Sequence, residues 1–236
     1  MAKGNIANKI GPATRPNASS KRPVKLDIGD ELKSLSPSRA ADRSRLAYLA
    51  RKASHQVHRS DALEKLRKRF DDVLLDALPA ALKDPGNLVR VEALEIIAEH
   101  NLKRFEADAI LALSDKNWLV QDRAVWALKT MNSETAIKAV KKVFRKLSAK
   151  ARVSADGFLY TIDGDESRVN RLIASLEDPN HHVRMASAHE LAFTIQRRDM
   201  KRTVDAIEVA IGREEYRVPK LQFRRAIRDL RGRFAD

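Results

Sequence analysis

Cysteine is absent from the 236 residues. That removes disulfides, thiol nucleophiles and thiolate metal sites, and it suits a cytoplasmic protein. Aromatic residues make up only 5% of the chain, with Trp118 and Trp126 the two tryptophans, so few side chains are on hand to stack against bases. Glycine and proline are scarce after residue 40, as an all-helical chain requires. No run of 18 apolar residues occurs, so no membrane span and no membrane partner are expected. The N-terminus is basic but has no apolar h-region, which argues against a secretory signal.

What the chain does contain is self-similarity. Leu82-Lys83-Asp84-Pro85-Gly86-Asn87-Leu88-Val89-Arg90 returns as Leu113-Ser114-Asp115-Lys116-Asn117-Trp118-Leu119-Val120-Gln121, and again as Leu176-Glu177-Asp178-Pro179-Asn180-His181-His182-Val183-Arg184. Each copy places a Leu two residues before an Asp and a Val five after it. A small residue (Ala93, Ala124, Ser187) follows the Val by four and an apolar one (Ile97, Leu128, Leu191) by eight. Two weaker copies centre on Val153, with Gly157 in the small position, and on Val218, where Gln222 replaces it. The anchors Val89, Val120, Val153, Val183 and Val218 lie 31, 33, 30 and 35 residues apart, the period of a solenoid. Asp opens a turn by accepting backbone N–H groups, and the i, i+4, i+8 residues then line one helical face. The pattern predicts an all-α fold, an α-solenoid of about five helix pairs.

The motif Leu-x-Asp-x-x-x-x-Val-Arg-x-x-(small) resembles the HEAT repeat, in its short bacterial form grouped as PBS-lyase HEAT-like repeats. The resemblance covers roughly residues 70–230. It implies that the Asp and the Arg six residues later bond between the turns and helices of neighbouring units. Asp84 with Arg90 and Asp178 with Arg184 carry that pair; Asp115 faces Gln121 in the partner position and is expected to lack it. Residues 74–236 would form the array.

Ahead of it, residues 1–36 read as a disordered basic arm, since Lys3, Lys9, Arg15, Lys21, Arg22 and Lys25 stand there with no acid through residue 26. Residues 37–73 read as capping helices that cover the first open face. One is expected to bury Leu46, Leu49, Ala50, Ala53 and Val57 along a single face, and the next to open on Asp61-x-x-Glu64 as a capping box and bury Leu63, Leu66, Phe70 and Leu74.

The net charge of +14 is unevenly distributed. Residues 46–69 sum to +5, residues 70–137 to −5 and residues 197–236 to +5. The helix over 137–147 buries Ile137, Val140, Phe144 and Leu147, leaving Lys138, Lys141, Lys142, Arg145 and Lys146 to water. Together with Arg224, Arg228 and Arg231 these are the candidate polyanion contacts.

No catalytic constellation emerges. His55 and His58 share a face without an acid to join them, and His181 and His182 are adjacent in a turn, so neither a metal nor another cofactor is expected. Asp163-Gly164-Asp165-Glu166 lacks the remaining ligands of a calcium loop and reads as a turn between helices. Ser114-Asp115-Lys116-Asn117-Trp118-Leu119 resembles a segment of the HEAT-like DNA alkylpurine glycosylases, which would make Asp115 and Trp118 site residues; the second Trp- and Asp-rich motif of that family is missing. Three readings follow. The first is a non-catalytic interaction module gripping a protein partner through its second helices, at Glu92, Glu95, Arg123, Trp126, Met185 and His189, with Trp118 at the turn. The second is a nucleic-acid binder contacting phosphates, and the third is a glycosylase.

Overall fold

The computed structural model describes residues 27–235. Thirteen α-helices and four short 3-10 turns make up this region. A short helix α1 (Ile28–Ser34) comes first, followed by α2 (Ala40–Lys52) and α3 (Gln56–Arg67). Five helix pairs come next: α4 (Asp72–Ala81) with α5 (Asn87–Glu99), α6 (Glu106–Ala112) with α7 (Trp118–Met131), and α8 (Glu134–Val143) with α9 (Ala149–Asp163). The last two are α10 (Glu166–Ala174) with α11 (His181–Thr194), and α12 (Met200–Arg213) with α13 (Arg217–Phe234).

Side-chain caps start many of these helices. Asp71 accepts from the Leu74 amide at 3.1 Å, Ser133 from Ala136 at 2.9 Å, and Asn180 from His182 at 2.9 Å. Asn132 and Gly164 end α7 and α9 in the left-handed conformation, and Asn101 does so just past α5. Gly164 therefore sits in an interhelical turn, as expected.

The second helix of each pair stacks on the second helix of the next, from α3 through α5, α7, α9 and α11 to α13. The first helices touch one another far less. The second helices thus form a close-packed inner layer and the first helices a splayed outer one. Burial follows that division: α5 hides Val89, Val91, Ala93, Leu94, Ile96, Ile97 and Ala98, whereas α8 hides only Ala136 and Val140. Val89, Val120, Val153 and Val183 are all buried at corresponding places. This is an all-α solenoid.

Between units runs a ladder of ion pairs. Arg90 donates to its own turn, at the carbonyls of Asp84 and Pro85, and reaches forward to both carboxylate oxygens of Asp115 at 2.8 and 2.9 Å. Asp115 therefore does hold an arginine, from the preceding unit, contrary to the expectation. Gln121 takes the arginine's place: it donates to the Asp115 carbonyl and accepts from the Ser148 amide. A neutral amide suits that step because the next turn offers an N–H where an acid would otherwise stand. Arg184 repeats the arginine arrangement onto Glu214, which takes the acid's role one residue later than the spacing predicted.

The N-terminal helices continue this stacking. Arg59 donates to the Ala53 and Ser54 carbonyls and to both oxygens of Asp84, as Arg90 does one unit later. Several local expectations shift here. His55 caps α3, so Asp61 and Glu64 lie inside a helix and do not open one. The buried guanidinium of Arg43 takes the carbonyls of Leu66 and Arg69 and pairs with Asp71, which ends α3. Phe70 is consequently exposed in the turn, Leu74 belongs to α4, and Val57 is exposed on α3, off the α2 face. Of the expected arm, residues 1–26 lie outside the described residues, and Ile28–Ser34 is helical. At the other end Val218 is 60% exposed, while Pro219, Phe223 and Ile227 form the buried stripe one residue along. Phe223 is fully buried against α11 and α12.

Candidate functional site

The inner layer closes on itself around α9. Small residues Ala151, Ser154, Ala155 and Gly157 keep this helix low, and its neighbours α7 and α11 make contact across it. At one end Lys129 of α7 pairs with Glu190 of α11 at 2.9 Å. The Glu190 side chain lies directly over Gly157, where any Cβ would collide with it. At the other end the rings of Trp118 and His182 approach to 5.9 Å.

Between these bridges lies a groove of about 580 Å³ with contributions from α5, α7, α9, α11 and α13. Trp126, Met185, Ala186 and Val218 supply its apolar surface. Its charges answer one another. Asp122 is buried and accepts from Lys150 at 2.5 Å, from Arg123 at 2.7 Å and from the Ser154 hydroxyl at 2.6 Å. Arg123 also pairs with Glu95 and lies over the Trp126 ring at 5.8 Å. Arg123, Lys129 and Lys150 thus meet Glu95, Asp122 and Glu190, leaving an electrically balanced groove in a chain of net charge +14. A pocket of this size and lining suits apolar side chains ringed by a few fixed polar groups.

Of the candidate contacts, Glu95, Arg123, Trp126, Met185 and His189 all line the groove. Trp118 sits at its rim, 40% exposed, with Lys150 5.4 Å from its ring. Glu92 lies apart, nearly buried and paired with Arg67 at 2.8 Å. Burial pushes the Glu92 carboxyl above its ordinary range, with Glu95 and Glu64 adding to the push and Arg67 opposing it. The sequence reading missed Asp122, Lys129, Lys150, His182 and Glu190. Their contacts skip a unit or cross to the next, so spacing within one repeat carries no sign of them; Gly157 in the small position was the available clue.

The polyanion candidates do not form one surface. Lys138 pairs with Glu134, and Lys141 lies 3.7 Å from Asp163; Lys142, Arg145 and Lys146 are exposed on the outer layer. Arg224, Arg228 and Arg231 lie on α13, two units away, with Arg231 paired to Glu208. Asp115, the acid of the glycosylase resemblance, has both oxygens engaged by Arg90 and one by the Asn117 amide. It is a structural carboxylate.

Stacked helix pairs, a close-packed inner layer and a groove upon it define a helical-repeat solenoid of HEAT-like type. Residues 74–155 match the family model described as HEAT repeats, and that segment, from α4 into α9, carries them. Among solved structures, an engineered protein is 16% identical, covering 88% of this chain and 99% of that one with a TM-score of 0.42. A designed armadillo repeat protein in complex with a (KR)4 peptide is 17% identical, with coverage of 86% and 98% and a TM-score of 0.40. A second designed armadillo repeat protein is 16% identical, with coverage of 86% and 100% and a TM-score of 0.38. No curated protein matches the chain. No helix among the described residues is long and apolar enough to cross a membrane.

Proposed function

We propose that this protein is a non-catalytic interaction module of the cytoplasm that holds a protein partner in the groove over α9. The observation that carries this reading is the groove itself: five inner helices converge on an apolar hollow whose charges are already paired among themselves. A reactive site needs a group left poised for chemistry, whereas here each carboxylate has a structural cation. An apolar hollow with a polar rim is what an anchoring side chain of a partner requires. In this reading residues 74–236 are the binding array and residues 37–73 close its first end.

The test is a photo-crosslinking amino acid placed at Met185 in the groove, compared with one at Leu111, which is 73% exposed on the outer layer. Expected is a discrete polypeptide adduct at Met185 that is lost in Trp126→Ala, with none at Leu111. Equal capture at both positions, or capture unaffected by Trp126→Ala, overturns the reading.

A further inference from the structure

The sequence is poor in aromatics, yet four of its rings follow one another in a chain of pairwise contacts. Trp118 approaches His182 at 5.9 Å, His182 stacks on His181 at 4.1 Å, and His181 approaches Tyr216 at 5.9 Å. Interplanar angles of 30°, 39° and 40° leave each neighbouring pair tilted. These residues belong to three different units, at the N-termini of α7, α11 and α13. The row therefore runs along the turn edge of the inner layer, beside the groove and largely outside it. Its end rings are open, Trp118 at 40% and Tyr216 at 62% exposure.

A core role does not account for a row exposed in this way. Two exposed rings at its ends and imidazole nitrogens between them offer faces for stacking and groups for hydrogen bonding. Cations accompany both ends. Lys150 lies over the Trp118 ring, Lys116 precedes Trp118 by two residues, and Arg217 follows Tyr216 directly. Lys116 and Arg217 are exposed and form no ion pair among the described residues. Three helix N-termini add partial positive charge along the same edge. Of the nearby acids, Glu214 is held by Arg184, and Asp178 accepts from the Asn180 amide. Glu215, beside Tyr216, is exposed and opposes an anion.

We propose that the row Trp118–His182–His181–Tyr216 is a stacking platform for single-stranded nucleic acid, with Lys116 and Arg217 meeting the flanking phosphates. Single strands present the unpaired base faces such a row accepts, whereas a duplex hides them. Rings on a surface combined with flanking cations are the physical means by which proteins bind single strands with little sequence preference. The row shares His182 with the groove's lining but none of its apolar side chains, and Tyr216 lies outside the groove, so failure at Tyr216 would leave the partner reading standing.

Trp126→Phe leaves Trp118 as the sole tryptophan, and its emission reports on the row directly. An oligothymidylate of about ten nucleotides, titrated at about 50 mM salt, is expected to quench that emission. Trp118→Ala and Tyr216→Ala should each weaken binding about five- to a hundredfold by anisotropy, and Glu215→Gln should strengthen it. Tyr48→Ala, at an exposed ring on α2, should leave it unchanged. Circular dichroism melts confirm that each variant is folded; should Trp118→Ala not fold, the highly exposed Tyr216→Ala carries the comparison. The proposal is overturned if the oligonucleotide does not bind, if duplex of the same length binds as tightly, or if folded ring variants bind like the parent. A photo-crosslinker at Tyr216 that captures polypeptide and no oligonucleotide would assign the row to protein, and would equally overturn it.

Discussion

Arg59 and Asp84 meet as a nearly buried two-pronged pair, each oxygen of the acid 2.7 Å from a guanidinium nitrogen. Removing one partner leaves an uncompensated charge, which costs about 3–5 kcal/mol in such settings. Arg59→Ala should lower the denaturant midpoint accordingly, and a loss under 1 kcal/mol would mean that water repairs the site. Gly157 is a second sensitive position. Ala gains about 1 kcal/mol in helix propensity, but its methyl displaces Glu190 from Lys129, and overpacking costs about 1–3 kcal/mol. Gly157→Ala should therefore destabilise the fold, and Glu190→Ala in the same chain should relieve part of the loss; simple additivity in a double-mutant cycle would refute the contact. Two buried carboxylates should respond to pH in opposite senses. Hydrogen bonds from Arg184 hold Glu214 below the ordinary range, so its contribution is present at neutral pH and is lost as the pH falls below about 4. Burial holds Glu92 above that range, so its contribution is greatest in acid and declines as the pH rises through its folded-state value. At neutral pH, Glu214→Gln should cost more than Glu92→Gln, as read from denaturation curves at several pH values. The ladder was partly legible in the sequence: the pairing of Asp with Arg was visible, but which unit each arginine serves was not. Spacing within one copy says nothing of reach into the next.

At the level of helices, the second member of each pair was the clearest prediction. Val, a small residue and an aliphatic one at i, i+4 and i+8 leave no other way to share a face with two neighbours. The N-terminal helices were harder, because Arg43 ends α3 from a distance of more than twenty residues and replaces any local stop signal. In the pair α12–α13 the buried stripe falls on Pro219, Phe223 and Ile227, one residue past the expected Val218. The amphipathic α8 and the 3-10 turn that follows it at Phe144–Lys146 provide a control: Lys142, Arg145 and Lys146 face water, so replacing all three by Gln should change stability by less than about 0.5 kcal/mol per site. A larger loss would show that the charges hold a neighbouring element. The centre of the molecule is α9, because its Ala155, Phe158 and Leu159 pack into the N-terminal core and its Val153 and Tyr160 into the C-terminal one.

Among the described residues the groove's own charges are paired, while Lys142, Arg145 and Lys146 face water on the outer layer. Because the groove's ions are paired internally, the grip on a partner there should change little between about 50 and 200 mM salt, whereas any phosphate contact elsewhere should weaken steeply over that range. Binding isotherms at the two salt concentrations decide it, and a steep dependence at the groove would point to unbalanced charge. Apart from Gly157 in the small position, the groove's closure left no sign in the repeat pattern, which describes neighbours and is silent about units that meet over the one between them.

That bridging alters the mechanics of the superhelix. A helical spring ordinarily yields along its whole length, but one whose coils on either side of the middle are tied to each other cannot. Tension applied to the two ends would open the outer turns first and leave the central turn shut, so whatever the protein holds there would be kept while the rest of it extends.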